Sequence, residues 1–345
     1  MLTFHDPDCG LHNPTHEFHH DRLVPAFENQ KRVEIILRHL READLGPIVA
    51  PDVPVLEHVL RVHTPEYVDF LRHAHQQWVA QGNEGDAVPY VWPARCAMPR
   101  PGDSIHGQLG YFAGDSGTPI VAGTWRGASA SAHSALAATA SVHAGERVAY
   151  ALGRPPGHHA SADVYAGYCF LNNAAICAQY LRDQGRERVA VLDVDFHHGN
   201  GTQAIFWERA DVLTVSLHGD PDREYPYHLG RADEAGSGPG EGHNLNIPLP
   251  PGTAVGDYTA ALREGLARVE GFAPEALVVS VGFDTFETDP ISSFRLRTED
   301  FAVVAGMIAG LGLPTVLVQE GGYAVDELGL NAVTFLRAFD EAIPG

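Results

Sequence analysis

The stretch Val189-Ala190-Val191-Leu192-Asp193-Val194-Asp195-Phe196-His197-His198-Gly199-Asn200-Gly201 constrains this chain more than any other. Its β-branched and small apolar lead predicts a buried strand over Val189–Asp193, after which Asp193, Asp195 and His197 fall at every second position. Alternate residues of a strand share a face, so the three side chains lie together wherever the extended conformation persists. An unpaired carboxylate in an apolar core is very costly. Two carboxylates converging with an imidazole therefore ask for a cation, and Zn²⁺ or a similar divalent ion meets that need. No cysteine takes part, which argues against a closed structural zinc site. A bare Asp-x-Asp serves equally well as a strand-end acid pair capped by a helix N-terminus. The rest of the chain decides between these readings.

The 345 residues, 44% hydrophobic with 36 glycines, can bury a sizeable core and make many turns. Strands alternate with helices to the end and no linker interrupts them, so residues 1–345 read as a single α/β domain. A net charge of −21 with only 23 Lys and Arg disfavours nucleic acid and anionic membranes as partners. Cys9, Cys96, Cys169 and Cys177 form neither a CxxC motif nor a disulfide framework, which suits a reducing cytoplasm. The first residues carry no basic and apolar signal pattern. Apolar stretches such as residues 301–313 are short and broken by glycine, so none spans a bilayer.

Along the chain, residues 11–27 contain His16-Glu17-Phe18-His19-His20, which matches the H-E-x-x-H pattern of zinc proteases. That chemistry needs both histidines on one helix face. Pro14, Asp21 and Pro25 surround the motif and no apolar stripe accompanies it, so a polar surface loop is expected. Residues 29–41 predict an amphipathic helix, and Thr64 with Pro65 opens another that reaches about Trp78. From Gln81 to Gly123 periodicity is lost, and a loop of that length inside a domain is usually functional. Its aromatics favour packing over disorder. Gly123 to about Ala144 reads as a helix, and regular βα alternation follows from Val148. Strands are expected at 148–152, 189–193, 212–217, 276–281 and 314–318. Helices are expected at 171–183, 201–207, 257–269, 298–309 and 325–339. The glycine-rich loop 234–243 does not open a helix after a strand, so it is no dinucleotide site. Short apolar strands between helices argue for a parallel sheet covered on both faces.

Ligands of open α/β sheets sit beyond the carboxyl ends of the strands. Those ends deliver Arg154-Pro155-Pro156-Gly157-His158-His159, Asp195-Phe196-His197, Gly282-Phe283-Asp284 and Glu320-Gly321-Gly322-Tyr323 to one edge. Each alone is weak, but together they outline a metal hydrolase.

These motifs, with Gly-Tyr-Cys-Phe-Leu-Asn-Asn at 167–173, resemble the histone deacetylase superfamily over residues 10–340. The likeness is greatest to the bacterial acetylpolyamine amidohydrolases, which carry a comparable insertion at 81–123 and an Asn at position 200. The resemblance implies an arginase-like α/β fold with a central parallel sheet of about eight strands. It makes Asp195, His197 and Asp284 ligands of Zn²⁺, although Fe²⁺ suits the same set. Asp193 should hydrogen-bond His158, and Asn200 should orient His159. The implied reaction is hydrolysis of an N-acetyl amide, with His159 moving the proton and Tyr323 stabilising the oxyanion. Because Asn200 brings no charge, the pKa of His159 should stay nearer neutrality than an aspartate partner would allow. Tyr168 and Tyr225 match tunnel-lining positions, and Ile291 a specificity position. Asp193, Ser216 and Leu217, with backbone oxygens of Asp195 and His197, match a structural potassium site. The insertion implies a homodimer and a narrowed entrance.

Polyamine-selective relatives place acids at the mouth. Glu17 fits one such place, whereas His106 and Gly117 stand at two others. The expected substrate is therefore a small cationic acetylated amine, with a short acetylated diamine as natural as a long polyamine. The alternatives are an acetyl-lysine protein deacetylase and an inactive binding module on the same fold, which would be expected to lose a ligand or Tyr323. An arginase-like ureohydrolase would need a two-manganese carboxylate cluster, and only one complete ligand set is visible.

Overall fold

A computed structural model describes residues 1–20, 22–93 and 100–343, so Asp21 and Cys96 lie outside the described residues. Eight strands form one sheet in which every pairing is parallel. They are β1 (Leu2–Phe4), β4 (Ile48–Val49), β5 (Val148–Ala151), β6 (Val189–Asp193), β7 (Val212–Gly219), β8 (Asn244–Leu249), β9 (Ala276–Val281) and β10 (Thr315–Gln319). Their order is β4-β1-β5-β10-β9-β6-β7-β8. A separate antiparallel hairpin joins β2 (His16–His19) to β3 (Arg22–Pro25).

Period-two alternation divides the apolar side chains between the two faces. Ala190, Leu192, Leu277, Val279, Val281 and Leu317 pack with helices α1 (Lys31–Glu42), α8 (Val255–Phe272), α9 (Thr298–Ala309) and α10 (Val325–Ala342). Val189, Val191, Ala276, Val278, Val316 and Val318 pack with α5 (Thr124–His143) and α6 (Asn173–Asp183). Strands buried on both faces read as continuous apolar runs, which is why the sequence marks β5, β6, β9 and β10 so clearly. Helices α2 (Leu56–Val59), α3 (Pro65–Ala80) and α4 (Ile105–Phe112) extend the second side, and α7 (Asn200–Phe206) follows β6. At α3, Thr64 accepts from Tyr67 N and Pro65 occupies the first turn, as its sequence predicts.

Two differences from the sequence expectations have physical causes. Residues 16–19 and 22–25 pair as a hairpin rather than forming a loop, with Glu17 turned inward and His16 and Phe18 outward. This extended geometry excludes the helical H-E-x-x-H arrangement. The 81–123 stretch contains α4, hidden in the sequence by Gly107 and Gly110. Gly110 is needed for close approach, because a Cβ there would lie 1.6 Å from the Val91 carbonyl oxygen. Phe112 at its end stacks on Phe70 of α3 at 4.7 Å, so α4 is packed onto the body of the molecule.

A buried ion cluster ties the first forty residues to the strand ends. Glu28 accepts from Arg32 at 3.0 Å and from Arg154 at 2.9 and 2.6 Å. Arg154 also donates to the Cys9 and His12 carbonyls, and Arg32 to those of Glu320 (2.6 Å) and Gly322 (2.7 Å). Burial alone would raise the pKa of Glu28, but the two guanidiniums outweigh it and hold the carboxyl down at about 2. Removing one partner of a buried ion pair typically costs about 3–5 kcal/mol. Glu28→Ala should therefore lower unfolding stability by about that amount, read as a reduced urea midpoint at neutral pH. Because its folded pKa is depressed, the Glu28 contribution is complete above the ordinary value of 4.5 and disappears as pH falls toward about 2. The difference between the variant and the unaltered protein should shrink through that window.

Candidate active site

The sheet determines which side chains meet. Strands β5, β6, β9 and β10 lie in the central part of the sheet, and their carboxyl ends bring four distant segments together. Beyond β6, Asp195 Oδ1 accepts from His197 N at 2.8 Å and Oδ2 from Gly321 N at 2.7 Å. Beyond β9, Asp284 Oδ1 accepts from Phe196 N at 2.9 Å. Backbone amides thus orient both carboxylates toward one imidazole nitrogen, His197 Nδ1, which is 3.0 Å from Asp284 Oδ2 and 3.4 Å from Asp195 Oδ1. Close packing depends on small residues here, since a Cβ on Gly282 would lie 2.0 Å from Asp195 Oδ2.

The charges in this region do not balance without a cation. Asp193, Asp195, Asp284 and Glu320 are all buried within the one cluster. Burial, then the neighbouring Asp195, pushes Asp284 up to about 6. At His197 burial opposes protonation, but the flanking carboxylates outweigh it and lift the ring to about 10. A lone imidazole nitrogen facing two buried carboxylates is a proton-or-metal site by its chemistry. Asp195, His197 and Asp284 offer the mixed oxygen and nitrogen donor set that suits a divalent ion with open positions. The residues fit the group.

Two histidines stand beside this triad with different partners. His158 Nδ1 donates to Asp193 Oδ2 at 2.9 Å. Burial would lower its pKa, but Asp193 and Asp195 raise it well above the ordinary value. His159 Nδ1 donates to Asn200 Oδ1 at 2.7 Å, leaving Nε2 as the basic nitrogen of a ring that lines the cavity. Burial, helped by the neighbouring His158, lowers His159 well below its ordinary value. Asn200 thus supplies orientation without the charge that would offset burial. Glu320, pushed up to about 7 by burial, accepts from Gly157 N (2.6 Å) and His158 N (3.1 Å) and so holds the histidine-bearing turn.

A cavity of about 620 Å³ opens above the triad. His159, His197, Tyr168, Tyr225, Ile291 and Tyr323 all line it. Tyr323 is held by Asp289, whose Oδ2 accepts from Tyr323 N at 2.7 Å, and Arg32 lies 4.6 Å over its ring. The Tyr225 ring stands edge-on to His159 at 4.9 Å, and Tyr168 to Tyr323 at 5.6 Å.

Two of the expected substrate contacts are corrected. Glu17 does not line the cavity: it is buried behind Tyr168, accepting from the Tyr168 hydroxyl (2.6 Å) and Phe27 N (3.0 Å). Burial pushes its carboxyl up to about 7. His106 also lies away from the cavity, packed edge-on against Trp78 and Tyr90, because α4 turns it toward α3. Gly117 does reach the cavity. At the potassium positions, Asp193 pairs with Ser216 across β6 and β7, and both line a cavity of about 10 Å³, about the size of one water. Leu217 follows in β7 and is fully buried.

Sequence reasoning missed Glu28, Arg32, Asp115, Asp289 and Glu320 as parts of the site. Glu320 was visible within the Glu-Gly-Gly-Tyr motif. The other four carry no local signal, since each acts through partners distant in the chain.

A parallel sheet that gathers buried carboxylates and imidazoles below an aromatic-walled cavity has the architecture of an α/β protein with a metal-ready centre. The chain belongs to the histone deacetylase domain family, whose model matches residues 26–339. It is 47% identical over 340 residues to acetylpolyamine amidohydrolase 2 of Pseudomonas aeruginosa, covering 99% of each chain. It is 45% identical to the acetylpolyamine amidohydrolase of Mycoplana ramosa, covering 98% of this chain and 99% of the relative. The crystal structure of the acetylpolyamine aminohydrolase from Burkholderia pseudomallei superposes with a TM-score of 0.95 at 40% identity, over 99% of both chains.

Proposed function

We propose that this chain is a metal-dependent amidohydrolase that removes acetyl groups from small acetylated amines, acetylpolyamines or acetyldiamines, releasing acetate and the free amine. The observation that carries this reading is the Asp195–His197–Asp284 triad, whose His197 lines a cavity walled by Tyr168, Tyr225 and Tyr323. The names of relatives at 45–47% identity over nearly full length support the substrate class. A histone-type acetyl-lysine deacetylase would use the same centre and is the less supported reading.

Asp195, His197 and Asp284 would hold Zn²⁺, and Fe²⁺ would suit the same donors. When bound, such an ion polarises a carbonyl and makes water acidic. The chain's own groups account for the rest. His159, kept neutral by burial and held through Nδ1 by Asn200, accepts the proton of the attacking water at Nε2. It returns that proton to the leaving nitrogen, because an amide anion is too poor a leaving group. The Tyr323 hydroxyl donates to the developing oxyanion. His158, kept protonated by Asp193 and Asp195, supplies the neighbouring positive charge that lowers His159. The part of the cavity lined by Tyr168 and Tyr225 receives the methylene chain, and Ile291 adds an apolar contact.

Potassium held by Asp193, Ser216, Leu217 and the backbone oxygens of Asp195 and His197 would brace the β6–β7 end. Two copies would pair through the 81–123 stretch, where Tyr90, Val91 and Trp92 are exposed. Among the described residues no helix is long and apolar enough to cross a membrane. Cys9, Cys169 and Cys177 are free, in keeping with a cytoplasmic setting.

Asp284→Ala should lose bound metal by elemental analysis while circular dichroism stays unchanged, and full metal content would refute the ligand assignment. Tyr323→Phe should retain metal and lower kcat by about 10²–10³, the usual cost of one oxyanion donor. Activity within about twofold of the unaltered enzyme would make Tyr323 structural. Acetylputrescine, acetylcadaverine and acetylspermidine should each be hydrolysed with higher kcat/KM than an acetyl-lysine protein. Faster turnover of the protein substrate would sink the small-amine reading.

A further inference from the structure

Asp115 sits within the 81–123 stretch and lines the cavity, yet its carboxylate is already engaged. Oδ1 accepts from Gly117 N and from the Thr118 hydroxyl, both at 2.9 Å. Oδ2 accepts from Gly167 N at 2.7 Å and from the Tyr225 hydroxyl at 2.8 Å. A carboxylate has about four lone-pair sites, so four donors fill it. Thr118 extends the hub, because its hydroxyl oxygen accepts from Tyr168 N at 3.0 Å. One side chain thereby reaches both aromatic walls of the channel, Tyr225 directly and Tyr168 through Thr118.

The same hub reaches the proton-transfer group. Gly167 and Tyr168 both have left-handed backbone, with φ of 53° and 68°, a conformation that L side chains rarely adopt. That turn lies directly on His159, since a Cβ on Gly167 would be 2.2 Å from His159 Cδ2. The Tyr225 ring meets the same imidazole edge-on at 84°. Fixing Tyr225 and the turn therefore fixes two of the surfaces that surround His159.

We propose that Asp115 is a positioning residue: it sets the separation of Tyr168 and Tyr225 and the seating of His159 without itself touching substrate. This rests on the deacetylase reading above. Asn at position 115 would present an NH₂ to two existing donors whichever way it turned, whereas Tyr225→Phe would remove only one of the four.

In the full-length, metal-loaded enzyme, Asp115→Asn should lower kcat/KM for acetylputrescine by about 10–100-fold, the range typical of partners that orient a catalytic centre. Most of the loss should fall on KM, because the channel walls grip the methylene chain. Tyr225→Phe should lose less, and the double variant should be no worse than Asp115→Asn alone. An unchanged KM in Asp115→Asn, or losses that multiply in the double variant, would overturn the proposal. If Asp115→Asn does not fold, Thr118→Val and Tyr225→Phe each cut one link, and an unchanged KM in both would overturn it equally. A readout independent of turnover is the ¹⁹F spectrum of fluorotyrosine-labelled protein, with the Tyr225 signal assigned from Tyr225→Phe. In Asp115→Ala, which removes the acceptor altogether, that signal should shift and average as the ring begins to flip, and an unaltered signal would refute the proposal. An unaltered enzyme that hydrolyses no acetylated amine would instead refute the functional reading, while this spectrum still decides the role of Asp115.

Discussion

Four buried carboxylates at one edge of a parallel sheet are the constraint around which the rest of the molecule is arranged. Asp193, Asp195, Asp284 and Glu320 arrive from three different strand ends, and each would be prohibitively costly in an apolar interior without compensation. The chain compensates in two ways. Backbone amides of His197, Phe196, Gly321, Gly157 and His158 donate into the carboxylates, and the imidazoles of His158 and His197 face them. Once Asp193 is matched with His158, the remaining excess of negative charge converges on His197 Nδ1. The electrostatics of the fold thus prepare a place for a cation, and the chemistry of the site follows from that need.

A second buried charge cluster makes this arrangement rigid. Glu28 joins Arg32 and Arg154, and the two guanidiniums then reach carbonyls on the Cys9–His12 segment and on the Glu320–Gly322 turn. Tyr323 stands on that turn with Arg32 across its ring. Asp289 holds the same turn from the other side through Tyr323 N and Ala324 N. The site therefore has a double frame, an acidic one around the metal-ready triad and a basic one beneath the tyrosine. A change in either is transmitted because both close on residues 320–323.

What was legible in the chain follows from local physics. β6 and β9 match their predicted bounds because strands covered on both faces must be apolar at every position. α9 was equally clear, and α3 was announced by Thr64 and Pro65. The strands β1, β4 and β8 were missed. Two are very short, and β8 is an edge strand whose inward positions include Asn244 and Asn246 bonded to Gln203, so it lacks an apolar signature. Helix α4 was obscured by glycines that its packing requires.

The sequence by itself determined the alternation of strand and helix, and the Asp193, Asp195, His197 spacing from which the proposed ligand set is drawn. It also placed the histidine pair and Tyr323 after strands, because the period of a strand and the rule that ligands gather beyond its carboxyl end are properties of local backbone geometry. Only the tertiary structure decided which polar groups face the cavity. Glu17 was drawn behind Tyr168 because a hairpin turns it inward, His106 was turned against Trp78, and Asp115 came to lie beneath both channel walls. Hydrogen bonds between residues 50 to 151 positions apart place Glu17 and Asp115, and no short window of the sequence contains both partners.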